Sequence, residues 1–357
     1  MMGKVTDNSQ HPSIKQITVF GDSLSDNGNF FPILSKSSWL FKGIHMTSPP
    51  SAYNGMAFSN GALLIEKIFE AYKLECKPAW KALDGNNYAV SNATIAIKYK
   101  TYSLFQRLFQ YIFPALDFNK YSLEGQISRY LKDVDGKEAE EGNLFMFIAG
   151  GNDLMLTLVD KELTKEQKKE NMHTLVPNNL VSYVQRLKDK YPKDYFVIIG
   201  PPDIGSIPAF YGSECQRDAS ELSLELEISL QEAINKNFPG KTVLYIPIQQ
   251  EMKNILNSKW EGLLPKERHM ASVSDFANGY FDWSISGILA YIKSGELRTQ
   301  FINDTTQKDL DEGKRPFFDF FHSSAALNEA MSVPVIKEIN AFLISSDASL
   351  VESTVPC

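Results

Sequence analysis

Three residue types that together perform acyl chemistry occur here in two short segments. Phe20-Gly21-Asp22-Ser23-Leu24-Ser25-Asp26 puts Ser23 just past the apolar run Ile17–Phe20, where its hydroxyl can face a cleft and a helix can begin. A serine hydroxyl is a poor nucleophile until a base takes its proton. Phe318-Asp319-Phe320-Phe321-His322 supplies base and orienter in one loop. His322 can accept the Ser23 proton while Asp319 holds the imidazole in the required tautomer. Attack on an ester carbonyl also needs donors where negative charge develops. Ala149-Gly150-Gly151-Asn152-Asp153 offers the Asn152 amide, placed by a glycine pair that lets backbones approach closely. The Ser23 N–H is a second donor, and the N–H that follows the run Asn87–Val90 is a third.

Each segment alone has a plainer explanation. Ser23 would suit a helix N-cap, Asp319 and His322 a surface ion pair, and Asn152-Asp153 a polar turn. Asp22 and Asp153 fit capping, or holding the site's hydrogen bonds, better than chemistry. His11, His45, His173 and His269 have no partner pattern and read as surface residues, and the charged run Lys161–Lys169 reads as a solvated helix or loop.

The elements around these residues decide between the explanations. Five apolar, β-rich runs end in turn residues and read as buried parallel strands: Ile17–Phe20, Asn87–Val90, Leu144–Ala149, Tyr195–Ile199 and Thr242–Ile246. Helical patterns cover Ala62–Tyr72, Leu123–Lys132, Leu180–Lys190, Ser220–Asn237 and Ser323–Ser345, the last with a bend at Pro334. Alternation of this kind predicts an α/β fold of right-handed βαβ units, a flavodoxin-like three-layer α/β/α arrangement with a five-stranded parallel sheet. Ligand sites in such sheets form at the carboxyl ends of the strands. Ser23, Asn92 and Asn152 fall there after the first, second and third runs without having been selected for it.

A chain of 357 residues with a net charge of −7 and no basic block is a poor nucleic-acid binder. The longest strongly apolar run, Leu144–Ala149, is far shorter than the roughly 20 residues that span a bilayer. Met1–Lys15 lacks the apolar core of a secretory signal. The expected location is therefore cytoplasmic, or outside the cell by a route needing no such signal. Cys76, Cys215 and Cys357 lack metal-ligand spacing; free thiols are expected, with a Cys76–Cys215 pairing as the alternative. The expected organisation is a polar arm over 1–15 and one domain over 16–345. Insertions fall near 99–119 and 260–316, and a tail covers 346–357.

Gly21-Asp22-Ser23-Leu24, Gly151-Asn152-Asp153 and Asp319-x-x-His322 together resemble the GDSL/SGNH hydrolases, in that family's order. Phe58-Ser59-Asn60-Gly61, Asn87-Tyr88-Ala89-Val90, Gln126-Ile127 and Gly200-Pro201-Pro202-Asp203-Ile204-Gly205 extend the likeness over nearly all of the chain from Ile17. These look most like the branch with bacterial lysophospholipases, thermolabile haemolysins and glycerophospholipid–cholesterol acyltransferases. The resemblance implies Ser23 as nucleophile, Asp319 and His322 as its partners, and an oxyanion hole from Ser23, Asn92 and Asn152, with Asp22 and Gly151 in support. It implies no metal or organic cofactor. Two departures stand out. Asn92 occupies the usual glycine position of the second block, and Ser323-Ser324 follows His322 where Pro-Thr is common.

The expected activity is hydrolysis of acylated lipids, or acyl transfer to an alcohol, through an acyl-enzyme. A short-chain or carbohydrate esterase is the alternative, and a binding protein on a retained hydrolase fold is a second. Phe105, Leu108, Phe109, Ile112, Phe113 and Leu116 follow helical spacing within Tyr102–Phe118. That segment is either a helix packed on the body of the protein or an interfacial element that meets lipid.

Overall fold

The computed structural model describes residues 14–30, 32–33, 57–80, 84–99, 117–137, 141–240, 242–263, 308–309 and 311–353. Four parallel strands, β1 (Gln16–Gly21), β2 (Asn143–Ile148), β3 (Tyr195–Ile199) and β4 (Val243–Ile246), lie side by side in that order. β2 and β3 are buried along their whole length, because helices cover both faces. Phe145 stands opposite Phe196 in the β2–β3 register, and their rings stack 5.1 Å apart. Such a pair adds about 1 kcal/mol to the area it buries.

Among the described residues the α-helices are α1 (Leu64–Ala71), α2 (Leu123–Asp133), α3 (Gly151–Val159), α4 (Lys165–Glu170), α5 (Val176–Lys190), α6 (Gln216–Asn237), α7 (Gln249–Lys259) and α8 (Ala325–Ser353). α1 and α7 pack with α8 on one side, while α5 contacts α2 and α6, and α6 also contacts α3. α1, α2, α5 and α6 form where expected, each with an apolar face at helical spacing; α1, for example, buries Leu64, Ile65, Ile68 and Phe69. α8 runs through Pro334 and past the expected end at Ser345 to Ser353. Short α4, within the charged run, buries no side chain.

The fifth predicted strand, Asn87–Val90, does not form as a ladder. It lies along the free edge of β1, making only an isolated parallel bridge at Val19 and Asn87. Val19 N–H donates to Asn86 O, and the N–H groups of Tyr88 and Val90 donate to Val19 O and Gly21 O. The rung that would continue the ladder is taken by a side chain. Gly21 N–H donates to Gln126 Oε1 at 2.9 Å, and Gln126 Nε2 donates back to Gly21 O at 2.8 Å. On its outer side Asn29 Nδ2 donates to Asn87 O and Ala89 O, so buried backbone is satisfied without a strand partner. Counting this edge segment as second in the chain, the spatial order is the flavodoxin-like 2-1-3-4-5.

The expected insertions at 99–119 and 260–316 lie mostly outside the described residues, as do nearly all of the 1–15 arm and the Tyr102–Leu116 stripe. Cys76 and Cys215 are free thiols. No helix among the described residues is long and apolar enough to cross a membrane.

Candidate active site

At the end of β1 the chain turns at once. Asp22 N–H donates to Ile148 O on β2, and the N–H groups of Ser25 and Asp26 both return to Asp22 O. The helix expected to begin after Ser23 is therefore a single turn, and half-buried Ser23 sits on it. From the far end of the chain, Phe317–Ser323 closes a tight loop in which Phe318 N–H donates to His322 O. That loop brings His322 Nε2 to 2.8 Å from Ser23 Oγ.

Asp319 completes the line. Its Oδ2 lies 2.7 Å and its Oδ1 2.9 Å from His322 Nδ1. Oδ1 also accepts the N–H groups of Phe321 and His322, at 2.7 and 2.8 Å. Burial alone would push the Asp319 carboxyl up. The charge and hydrogen bond of His322, together with those two N–H groups, outweigh burial and hold it below the usual carboxylate range. A carboxylate on Nδ1 fixes that nitrogen as the protonated one, leaving Nε2 to accept from Ser23. The three residues predicted to act together are thus in hydrogen-bonded sequence.

Beyond β2, Gly150 takes a φ of 118°, which favours glycine, and α3 starts at the strand's end. Its first turn carries Gly151, Asn152 and Asp153. Asn152 is buried and its Nδ2 donates to Ala93 O at 2.9 Å. An amide nitrogen carries two hydrogens, so a second remains beyond that bond. A Cβ on Gly151 would sit 4.0 Å from Asp22 Oδ2, an ordinary contact, so close approach is not what requires glycine there.

Asn92 sits at the corner of the third turn with a φ of 66°, a conformation that asparagine tolerates better than most residues. Its carbonyl accepts the Tyr99 hydroxyl at 2.9 Å. Ser91, just before it, is tied through N–H and hydroxyl to Asp26 Oδ2. Among the described residues, neither the Ser23 N–H nor the Asn92 N–H has a hydrogen-bond acceptor. The main-chain donors of Ser23 and Asn92 and the Asn152 amide thus lie on the turns that follow β1, the edge segment and β2.

Two buried carboxyls underlie this cluster. Asp153 accepts the N–H groups of Ile95, Ala96 and Ile97 at 2.8–2.9 Å, fixing the loop after Asn92. Burial still pushes its carboxyl up to about 6. Asp22 accepts Leu24 N–H at 3.0 Å. Burial pushes it up to about 7, with the Asp153 charge adding to the rise and the Leu24 hydrogen bond and His322 charge opposing it. Both residues play the hydrogen-bonding part expected of them.

Sequence reasoning left out several residues that hold this geometry. Gln126 appeared only as a short motif match, although its amide clips the backbone just before Asp22. Asp26, Asn29 and Asn87 form a buried polar network under the second turn, and nothing in their spacing announces it. His173, read as a partnerless surface residue, is half exposed but has Nδ1 2.7 Å from Ser229 Oγ and 2.9 Å from Glu225. No cluster of three or more metal-ligating side chains occurs among the described residues.

A family model described as GDSL-like lipase/acylhydrolase matches residues 17–334. No curated protein matches the chain. Among solved structures, a phospholipase A1 from Streptomyces albidoflavus is 14% identical over 90% of this chain and 98% of its own, with a TM-score of 0.42. A carbohydrate esterase family 2 enzyme with a carbohydrate-binding domain, from Corynascus thermopiles (Myceliophthora fergusii), is 13% identical over 95% and 69%, with a TM-score of 0.43. An extracellular lipase from Streptomyces rimosus is 15% identical over 79% and 99%, with a TM-score of 0.37.

Proposed function

The chain belongs to the GDSL-like lipase/acylhydrolase family and is an esterase/lipase of that type, and on that premise we propose that it cleaves acyl esters of lipids through an acyl-enzyme at Ser23. One observation carries the proposal: Ser23 Oγ, His322 and Asp319 are joined in series by hydrogen bonds of 2.8 and 2.7 Å. His322 Nε2 takes the Ser23 proton as Oγ attacks the ester carbonyl, and Asp319 stabilises the resulting imidazolium. The oxyanion forms where the N–H groups of Ser23 and Asn92 and the second Asn152 hydrogen are held in place before the reaction starts. Donors prearranged in this way favour the charge that exists only in the transition state. His322 then gives its proton to the leaving alkoxide. Water attacks the acyl-enzyme with His322 again as base; an alcohol in its place gives acyl transfer.

Lipid esters are favoured by the motif blocks that resemble lysophospholipases and related acyltransferases. They are also favoured by the run of aromatic rings from His322 through Phe58 and Phe30 to Phe118, with centroids 4.7, 6.3 and 6.2 Å apart. Lysophospholipid or phospholipid is the proposed substrate class.

Labelling with a fluorophosphonate probe tests the nucleophile, and the label is expected on Ser23 and absent from Ser23→Ala. Mass analysis of lipid products, beside a series of p-nitrophenyl esters, tests the substrate. Free fatty acid from lysophospholipid and a preference for long chains are expected. Activity confined to acetyl esters would move the substrate to a short-chain or carbohydrate ester, and an unlabelled Ser23 would make the protein a binding protein.

A further inference from the structure

The segment Phe58–Ala62 is not used by the acyl chemistry, yet it grips the histidine loop at several points. Phe58 stacks on the His322 imidazole with centroids 4.7 Å apart and planes 15° from parallel. Asn60 Oδ1 accepts Ala325 N–H at 2.8 Å, three residues past His322. Asn328 Nδ2 donates to Ala62 O at 3.2 Å, while Asn328 Oδ1 accepts the Ser323 hydroxyl at 2.6 Å. A Cβ on Gly61 would come within 2.7 Å of Ala325 Cβ, so the two backbones are as close as glycine allows.

The stack supplies a restraint that the hydrogen bonds do not. Asp319 holds Nδ1 and Ser23 holds Nε2, and the N–H bond and lone pair of these nitrogens lie in the ring plane. Bonds at two atoms tolerate tilting about the line that joins them. A flat aromatic surface against one face resists that tilt, and resists it most when the ring is positively charged and drawn to the π-face. Building on the proposed role of His322, we infer that Phe58 is a positioning residue: its ring sets the tilt of the imidazole and stabilises the imidazolium formed during each acyl transfer. Among the described residues, the titratable groups facing the imidazole are Asp319 on its own loop and Asp22 on the turn after β1. Residues 57–62 (Ala-Phe-Ser-Asn-Gly-Ala) bring no titratable group.

The test compares wild type with Phe58→Leu, Phe58→Met and Phe58→Tyr, reading kcat, KM, the pH profile of kcat/KM and the melting temperature. A small tilt of a reacting group costs less than a full ångström of misplacement, so Leu and Met should lower kcat about tenfold with KM nearly constant. Loss of the π-face should also move the acid limb of kcat/KM about half a pH unit lower. Tyr, which keeps the ring, should restore both. An unchanged kcat and acid limb in folded Leu and Met variants would overturn the inference, as would Tyr failing as badly as Leu. If Leu and Met both unfold, Phe58 is packing alone and the inference is again overturned. Activity surviving in Ser23→Ala would instead bring down the underlying mechanism, so the two failures are separable.

Discussion

The two halves of the site are built in different ways. The half carrying Ser23, Asn152 and Asn92 consists of the ends of β1, β2 and the edge segment. It is fixed by the main-chain bonds Asp22 N–H to Ile148 O and Val90 N–H to Gly21 O and by the Gln126 side-chain amide, which clips both polar groups of the Gly21 backbone. The half carrying Asp319 and His322 is a loop with no strand behind it. It is tied by its own Phe318–His322 bond, by Ala209 N–H to Phe320 O, and by side chains from residues 58–62. The sheet half is rigid because its bonds belong to the fold's core. The loop half is oriented mostly by side chains, and single substitutions can change it without touching the sheet.

The largest effect should come from His322→Ala, which removes the base while leaving the sheet half whole. Turnover should fall by on the order of 10⁶ with the melting temperature nearly unchanged. A folded variant that keeps a tenth of wild-type activity would break the assignment.

Asp22→Asn probes the buried side of the sheet half through stability. The Asp22 carboxyl is pushed up to about 7 in the folded protein, so between roughly pH 4 and 7 the folded state holds a proton that the unfolded state has lost. Stability from this group therefore falls as pH rises through that window. The variant's unfolding free energy should gain on wild type by on the order of 4 kcal/mol between pH 4 and pH 8. Parallel curves would mean that the carboxyl is not held high. Asp319 has the opposite sign, since its depressed value gives stability that is lost as pH falls through it.

Asn152→Ala should lower kcat by roughly 10²–10³ and change KM much less, because the donor acts on charge present only in the transition state. A strong rise in KM with kcat intact would make Asn152 a substrate-binding residue. Gln126→Leu leaves the backbone N–H and C=O of Gly21 without the amide clip. It should cost about 1–3 kcal/mol of stability in denaturant unfolding. If stability holds and Asn87–Val90 pairs further along β1, the clip is what keeps that segment from becoming a strand.

The smallest effect is expected from Asn92→Gly. Glycine adopts the φ of 66° without strain and keeps the N–H, so hydrolysis should be equal or higher. A tenfold loss in the folded variant would show that the Asn92 side chain has a role of its own.

Much of this was legible from residue order. Apolar runs ending in turn signals located β1 to β4, because a strand covered on both faces has to be apolar throughout. The hydrogen-bonded line of Ser23, His322 and Asp319 was legible because their residue types suit that chemistry, and turn signals placed Asn152 and Asn92 after the ends of β2 and the edge segment. The failed strand at Asn87–Val90 has an apolar, β-rich composition, but the Gly21 N–H it would have met is bonded to Gln126, a residue on α2. Composition carries no information about which remote side chain bonds a strand's edge.

The sequence by itself determined the α/β class, the serine–histidine–aspartate set and the strand-end location of the donors, since these follow from local patterning and side-chain chemistry. Only the tertiary structure decided that His322 reaches Ser23 across 299 residues at 2.8 Å, that Phe58 backs its ring, and that burial pushes the Asp22 carboxyl up to about 7 and that of Asp153 to about 6. Those properties arise from distances between segments remote in the chain and from the exclusion of water around them, and neither quantity is written in any stretch of residues taken alone.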